Sequence, residues 1–100
     1  MESYKEIING ETPVLIDFHA TWCGPCKMMS PIIEEVGKEL KGKVRILKID
    51  IDKNQKLANE YHIQAVPTFI LFKEGEIAWR NSGAMDKQKL LSHLNAFLKV

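Results

Sequence analysis

A nearly continuous apolar segment from Val14 to Phe18 constrains the fold of this 100-residue chain more than any other feature. Such a run, placed directly after Pro13, is typical of a strand that is buried on both faces of a parallel sheet. Asp17 is the exception within it. Its apolar neighbours predict a buried carboxylate, with an exposed strand position as the alternative. The segment therefore indicates a layered α/β domain with helices against both faces of the sheet.

Apolar periodicity divides the rest of the chain into further elements. They are, in order, a helix from Glu2 to Asn9 before Gly10, a helix from Cys23 to Leu40 before Gly42, a strand from Val44 to Ile51, a short helix through Leu57, Ala58 and Tyr61, strands from Thr68 to Phe72 and from Ile77 to Arg80 joined by a turn, and a last helix capped by Asp86. Pro31 is expected to kink the second helix. The order α-β-α-β-α-β-β-α predicts one domain over residues 1–100.

The only two cysteines, Cys23 and Cys26, stand with two residues between them just after the predicted buried strand. On the first turn of a helix, two thiols at this spacing can close a disulfide and open it again, and Pro25 suits a helix start. The helix dipole stabilises a thiolate at Cys23 by about 0.3 to 1 kcal/mol, so Cys23 is the predicted nucleophile. Cys26 lies further into the helix and is expected to be the less exposed, resolving thiol. The motif predicts thiol-disulfide exchange.

Three other interpretations of the cysteine pair are weaker. A structural crosslink that closes a loop of about four residues contributes only about 2 kcal/mol in the chain-entropy model. A zinc site needs a second pair of ligands, whereas His19, His62 and His93 stand singly in the chain. Two inert buried cysteines do not account for the Gly-Pro between them. No metal is therefore expected.

The charge balance argues against some partners. The chain carries 14 basic and 13 acidic residues, a net charge of +1, without a basic stripe that would favour nucleic acid. No apolar run approaches the ~18 residues of a membrane helix, and the N-terminus lacks the core of a signal peptide. A cytoplasmic protein with no membrane contact is expected. A targeting peptide already removed from a longer precursor stays open as an alternative.

Beyond the cysteine motif, a set of residues resembles the thioredoxin family in identity and spacing. The set is Asp17-Phe18, Ala20 to Lys27, Pro31, Lys48, Asp52, Val66-Pro67-Thr68, Phe72, Gly75 and Gly83. The resemblance covers nearly the whole chain and implies the thioredoxin fold, a three-layer α/β/α domain with a central mixed sheet. The family's usual first strand has too few residues here, so we expect four strands. The strand from Val44 to Ile51 would then be an edge, protected by charges such as Arg45, Lys48 and Asp50 or by association.

The resemblance also assigns roles to individual residues. Asp17 resembles the family's buried carboxylate, which accepts the proton of Cys26, and burial should raise its pKa. Lys48 resembles the cation that partners this carboxylate, and a solvated strand lysine is an equally weighted alternative. Pro67 resembles the family's cis-proline, which faces the disulfide.

The same resemblance implies a small apolar rim for substrate proteins. Its members are Trp22, Gly24, Pro25, Ala65, Val66, Pro67, Gly83 and Ala84. Backbone groups of Val66 would pair with an extended substrate segment, a form of strand addition. His19 stands where many bacterial members have Trp; a titrating group and a passive residue are both open for it.

The activity implied by the resemblance is that of a protein-disulfide reductase. Cys23 and Cys26 would reduce substrate proteins, a thioredoxin reductase would regenerate the dithiol, and no cofactor would be bound beyond the reversible disulfide. The Gly24-Pro25 dipeptide accompanies reducing members of the family. A thiol oxidant or isomerase of an oxidising compartment is one alternative, and a non-catalytic binding module is another. A monomer is expected, and an edge-mediated dimer stays open.

Overall fold

The computed structural model describes residues 3–98, which form helices and strands in the predicted order. The elements are α1 (Tyr4–Ile8), β1 (Val14–His19), α2 (Gly24–Glu39), β2 (Arg45–Asp50), α3 (Gln55–Glu60), β3 (Thr68–Lys73), β4 (Glu76–Ser82) and α4 (Lys87–Leu98). The main difference from prediction is β4, which extends beyond the Ile77 to Arg80 segment at both ends. Glu2, where the first helix was predicted to begin, lies outside the described residues.

The four strands form one mixed sheet in the order β2-β1-β3-β4. β1 runs parallel to β2 and antiparallel to β3. β2 therefore lies at one edge of the described sheet, as predicted, with the charged residues Arg45 and Lys48 exposed. Asp17 on β1 is paired with Lys48 on one side and with Phe69 on the other. Asp17 thus lies on an inner strand of the sheet.

Helices cover both faces of the sheet, because side chains alternate between faces along each strand. One face packs against α2 and α4 through buried residues that include Leu15, Met29, Ile33, Phe69, Leu71, Leu90 and Leu94. The other packs against α1 and α3 through Ile8, Val14, Ile16, Phe18, Ile70 and Phe72, with Leu57 partly buried beside them. The three-layer thioredoxin-like fold expected from the sequence is therefore confirmed. Asp17 lies two residues after Leu15 and so shares the α2 face.

The second helix begins at the cysteine motif and ends where predicted. Cys23 is its N-cap residue, Leu40 is its C-cap residue, and Gly42 follows in a left-handed conformation with φ of 87°. Pro31 lies inside the helix, which continues to Glu39. The kink expected there stays a prediction. The long helix therefore holds the motif at its positive end, directly after β1.

The last helix and the loop before β3 are held by side-chain hydrogen bonds to backbone groups. The Asp86 carboxylate accepts from the Lys89 N–H at 2.8 Å, which confirms the predicted cap of α4. The Arg80 guanidinium donates to the carbonyl groups of Tyr61 and His62 and so ties the end of α3 to β4. Within residues 3–98, no helix combines the length and apolar character needed to cross a membrane.

Candidate active site

Cys23 and Cys26 form a disulfide at the N-terminus of α2. Cys23 has extended backbone angles, and its sulfur accepts the backbone N–H of Cys26 at 3.1 Å. The free N–H groups of a first helical turn are donors that otherwise have no partner, and they favour negative charge. This geometry suits Cys23 Sγ to carry negative charge when the disulfide opens.

The two cysteines are buried to a similar degree, so the prediction that Cys26 is the less exposed thiol is wrong. Cys23 is 4% exposed and Cys26 is 7% exposed. The cause is the loop before β3: the carbonyl oxygen of Val66 lies 3.6 Å from Cys23 Sγ, and Ala20 and Val66 pack in the same cluster. Helix position alone could not show this contact, because Val66 is far away in the sequence. A substrate sulfur must approach Cys23 beside this loop.

Asp17 lies beneath the motif and shares a cavity of about 260 Å³ with Cys26. The cavity is lined by Asp17, His19, Ala20, Thr21, Cys26, Lys27, Ser30 and Lys48. Asp17 is only 4% exposed, and burial raises the pKa of its carboxyl, while His19 and, to a smaller extent, Lys48 oppose the rise. Its Oδ1 has no hydrogen-bond partner among the described residues. The predicted burial of this carboxylate is therefore confirmed.

Lys48 lines the same cavity but points its ammonium at α2. Its Nζ donates to Ser30 Oγ at 3.3 Å, and the side chain is exposed. Between residues 3 and 98, no ion pair joins it to Asp17. Its positive charge still lowers the pKa of Asp17, because the two residues are neighbours across β1 and β2. Lys48 is thus a solvated lysine that acts on Asp17 only from a distance.

The segment before β3 brings the remaining rim residues to the disulfide. The Val66-Pro67 bond is cis, as the resemblance implied. Pro67 is buried, and its carbonyl accepts the N–H of Gly83 at 2.8 Å. Gly83 has a φ of 99°, a conformation that favours glycine. Val66 is the partly open member of the pair and the one in contact with Cys23.

The exposed part of the rim is apolar. Trp22 is 68% exposed, and Gly24, Pro25, Ala65 and Ala84 are also exposed. An exposed tryptophan beside a reactive disulfide is a strong candidate for a protein contact, because tryptophan is enriched at binding hot spots. The structure thus brings the predicted rim residues to the end of the sheet at which β1 ends and β3 begins.

Asp52 is a residue whose role the sequence did not reveal. Its Oδ2 accepts the indole N–H of Trp22 at 2.9 Å, and its own N–H donates to the Asp50 carboxylate at 2.8 Å. These bonds hold the exposed indole against the loop after β2. An aspartate just beyond the carboxyl end of a strand was the available signal, because such positions border the site in open α/β sheets.

No cluster of three or more histidine, cysteine, aspartate or glutamate side chains suited to a metal ion occurs within residues 3–98.

Comparison with known proteins gives a consistent family assignment. The sequence profile of the Thioredoxin family matches residues 1–96. A thioredoxin of Rickettsia felis is 50% identical over 91 residues, which cover 91% of this chain and 87% of the relative. A thioredoxin-like protein of Synechocystis is 43% identical over 97 residues, 96% of this chain and 92% of the relative. Thioredoxin Y1, chloroplastic, of Arabidopsis thaliana is 46% identical over 100 residues, and the match spans 58% of that protein.

Proposed function

This chain belongs to the thioredoxin family, and from that premise we propose that Cys23 attacks, and Cys26 resolves, the disulfides of its substrate proteins. It is a thiol-disulfide oxidoreductase with protein-disulfide reductase activity. The observation that carries the assignment of roles is the Cys23 sulfur at the N-cap of α2, where it accepts the Cys26 N–H. No observation favours an oxidant, an isomerase or a non-catalytic module.

The exchange proceeds in two displacements. The Cys23 thiolate attacks one sulfur of a substrate disulfide, the substrate S–S bond breaks, and the second substrate sulfur leaves as a thiolate. Cys26 then loses its proton and attacks Cys23 Sγ, which breaks the mixed disulfide and releases the first substrate thiolate. Two electrons pass from the dithiol to the substrate, and the protein is left with the Cys23–Cys26 disulfide seen in the structure.

Asp17 is the proposed acceptor of the Cys26 proton. Its burial, its raised pKa and the cavity that it shares with Cys26 support this role. A cavity of about 260 Å³ that is lined in part by polar side chains has room for water, since one water occupies about 30 Å³ of liquid. Water in the cavity would carry the proton between the thiol and the carboxylate. Lys48 assists by its charge alone.

Substrate proteins are proposed to dock as extended segments beside Val66. The Val66 carbonyl lies against Cys23 Sγ, and the side chain is partly open, so a substrate cysteine that reaches Cys23 must pass this backbone. Main-chain pairing of this kind gives affinity without demanding a particular substrate sequence. Trp22, Gly24, Pro25, Ala65 and Gly83 supply the surrounding apolar contacts.

Three further points belong to the same proposal. The partners are a thioredoxin reductase and disulfide-containing proteins, by analogy with the family. The proposed compartment is a reducing one, the cytoplasm; some relatives are named as chloroplastic. The proposed domain is one thioredoxin domain over residues 1–100, which the match over residues 1–96 supports. The chain is proposed to act as a monomer.

The reduction potential of the dithiol tests the direction of the reaction. The protein is equilibrated with a defined thiol-disulfide buffer while the fluorescence of Trp22 is followed, and a Trp79→Phe background removes the other indole. The benchmark is the potential of about −270 mV that is already established for thioredoxins themselves. A potential at or below about −250 mV supports the reductase. A value near about −180 to −120 mV contradicts it and favours the oxidant or isomerase.

A further inference from the structure

Four charged or titratable side chains stand in a block on the α2 face of the sheet. Asp17 and His19 lie two residues apart on β1 and so share a face. Lys48 is the β2 partner of Asp17, and Asp50 is the β2 partner of His19. Acidic and basic groups therefore alternate around the block. From this set, the proposed cysteine mechanism uses Asp17 directly and Lys48 only through its charge.

Within the block, His19 is the basic group better placed to act on Asp17. It is half-buried on the wall of the cavity that Asp17 shares with Cys26. Lys48 is exposed and donates to Ser30, so solvent screens its charge. The pKa of Asp17 responds accordingly, because His19 opposes its rise more strongly than Lys48 does. The unpartnered Oδ1 leaves the carboxylate dependent on such charges.

We propose that His19 is a positioning residue for the resolving step: its imidazolium holds the neighbouring Asp17 in the carboxylate form that accepts the Cys26 proton. This inference rests on the proposed role of Asp17. The proton balance is simple, since Cys26–SH and Asp17–COO⁻ become Cys26–S⁻ and Asp17–COOH, and the acid later releases its proton to solvent. His19 gains or loses no proton in the step itself.

The pH dependence follows from the charges that face the pair. Histidine is the side-chain type that changes charge between pH 5 and 8, so the positive charge proposed for His19 acts on the acid side of the pH profile. There it favours an ionised Asp17, and its help is lost as the pH rises, when Asp17 ionises without it. Lys48 and Lys27 add positive charge from β2 and α2, and Asp50, the β2 partner of His19, adds negative charge. On the other side of Asp17, β3 contributes only Phe69. His19 thus extends exchange to lower pH.

The test isolates the resolving step with 5,5′-dithiobis(2-nitrobenzoate), an aromatic disulfide that releases two coloured thiolates in sequence. The first is released when Cys23 attacks, and the second when Cys26 displaces the mixed disulfide; Cys26→Ser abolishes only the second. The rate of the second phase is measured by rapid mixing between pH 5 and 9 for the parent, His19→Gln, His19→Lys and Asp17→Asn. His93→Gln, a histidine outside the cavity, is the matched control.

In His19→Gln, the acid limb of the second phase is expected to move to higher pH, so that the rate near pH 6 falls about threefold while the rate near pH 8.5 is unchanged. His19→Lys keeps a positive charge and is expected to retain the parent rate near pH 6. In an Asp17→Asn background, His19→Gln should have no further effect, because His19 acts only through Asp17. His93→Gln should match the parent throughout.

The outcomes separate the two proposals. If Asp17→Asn leaves the pH profile of the second phase unchanged, the proposed proton acceptor is wrong. If Asp17→Asn changes that profile but His19→Gln does not, only the role of His19 is overturned. If a variant does not fold, the same question is answered on the unmodified protein, in which the carboxyl ¹³C chemical shift of Asp17 is followed against pH. A two-step curve that mirrors the His19 imidazole signals supports coupling, and a single-step curve overturns it.

Discussion

Reduction of the Cys23–Cys26 disulfide is predicted to destabilise the folded protein by about 2 kcal/mol, the chain-entropy value for a loop of about four residues. Two features of the reduced site act in opposite directions on this value. The Cys26 N–H, 3.1 Å from Cys23 Sγ, binds a thiolate more strongly than a disulfide sulfur. The buried pocket, in turn, must accommodate two sulfur atoms that are no longer bonded, in a space where the cysteines are 4% and 7% exposed. The chain entropy of the loop closed by the disulfide should therefore determine how much stability is lost on reduction.

The assay is urea unfolding of the oxidised and the fully reduced protein at the same pH. With a urea dependence of about 1 to 2 kcal/mol per molar, the reduced midpoint should fall by about 1 to 2 M. A thermodynamic cycle gives an independent check, because about 2 kcal/mol corresponds to about 40 mV. The folded disulfide should thus be harder to reduce than the same disulfide in the unfolded chain by about 40 mV.

A double Cys23→Ser, Cys26→Ser variant serves as the control, and its midpoint should not respond to reductant. A reduced form at least as stable as the oxidised form would refute the reasoning, because the folded dithiol would then outweigh chain entropy. A loss well above about 4 kcal/mol would refute it from the other side, since a loop of this size cannot supply it.

Three further predictions concern the site. Because burial raises the pKa of Asp17, the stability that this group contributes at acid pH is lost as the pH rises. Asp17→Asn should therefore raise the urea midpoint near about pH 8 and leave it unchanged near about pH 4, and an equal shift at both pH values would contradict this. Cys26→Ser should trap substrate proteins as mixed disulfides on Cys23, seen on non-reducing gels; repeated turnover would remove Cys26 from the resolving role. Asp52→Ala removes the hydrogen bond that holds the Trp22 indole, and it should raise the KM for a protein disulfide by about threefold to tenfold without changing the reduction potential. A changed reduction potential would mean that this hydrogen bond acts on the dithiol instead.

Local pattern was enough to predict most of the fold. The apolar run Val14 to Phe18 became β1, buried along nearly all its length, because both of its faces meet helices. Asp86 capped α4, since that choice depends on the residues immediately after it. The edge position of β2 and the cis bond before Pro67 were implied by the family resemblance, because neither follows from propensity.

The details of the site that the sequence missed depend on contacts between distant segments. The burial of Cys23 comes from Val66, which is 43 residues away along the chain. The hydrogen bond from Trp22 to Asp52 joins residues 30 positions apart. A residue's nearest neighbours in sequence carry little information about such pairs. They become visible only when the ends of β1, β2 and β3 are placed side by side.

The antiparallel pairing of β1 with β3 determines in which direction the chain runs through the two halves of the site, the Cys23 segment and the Val66 segment. At the end of the sheet where β1 ends, β3 begins, because Phe18 is paired with Thr68. One half of the site is therefore carried by chain that is leaving the sheet, toward Cys23, and the other by chain that is entering it, through Val66. In a purely parallel sheet, every chain segment at that end would be leaving the sheet. The reversal of chain direction is what sets a backbone carbonyl against the reactive sulfur.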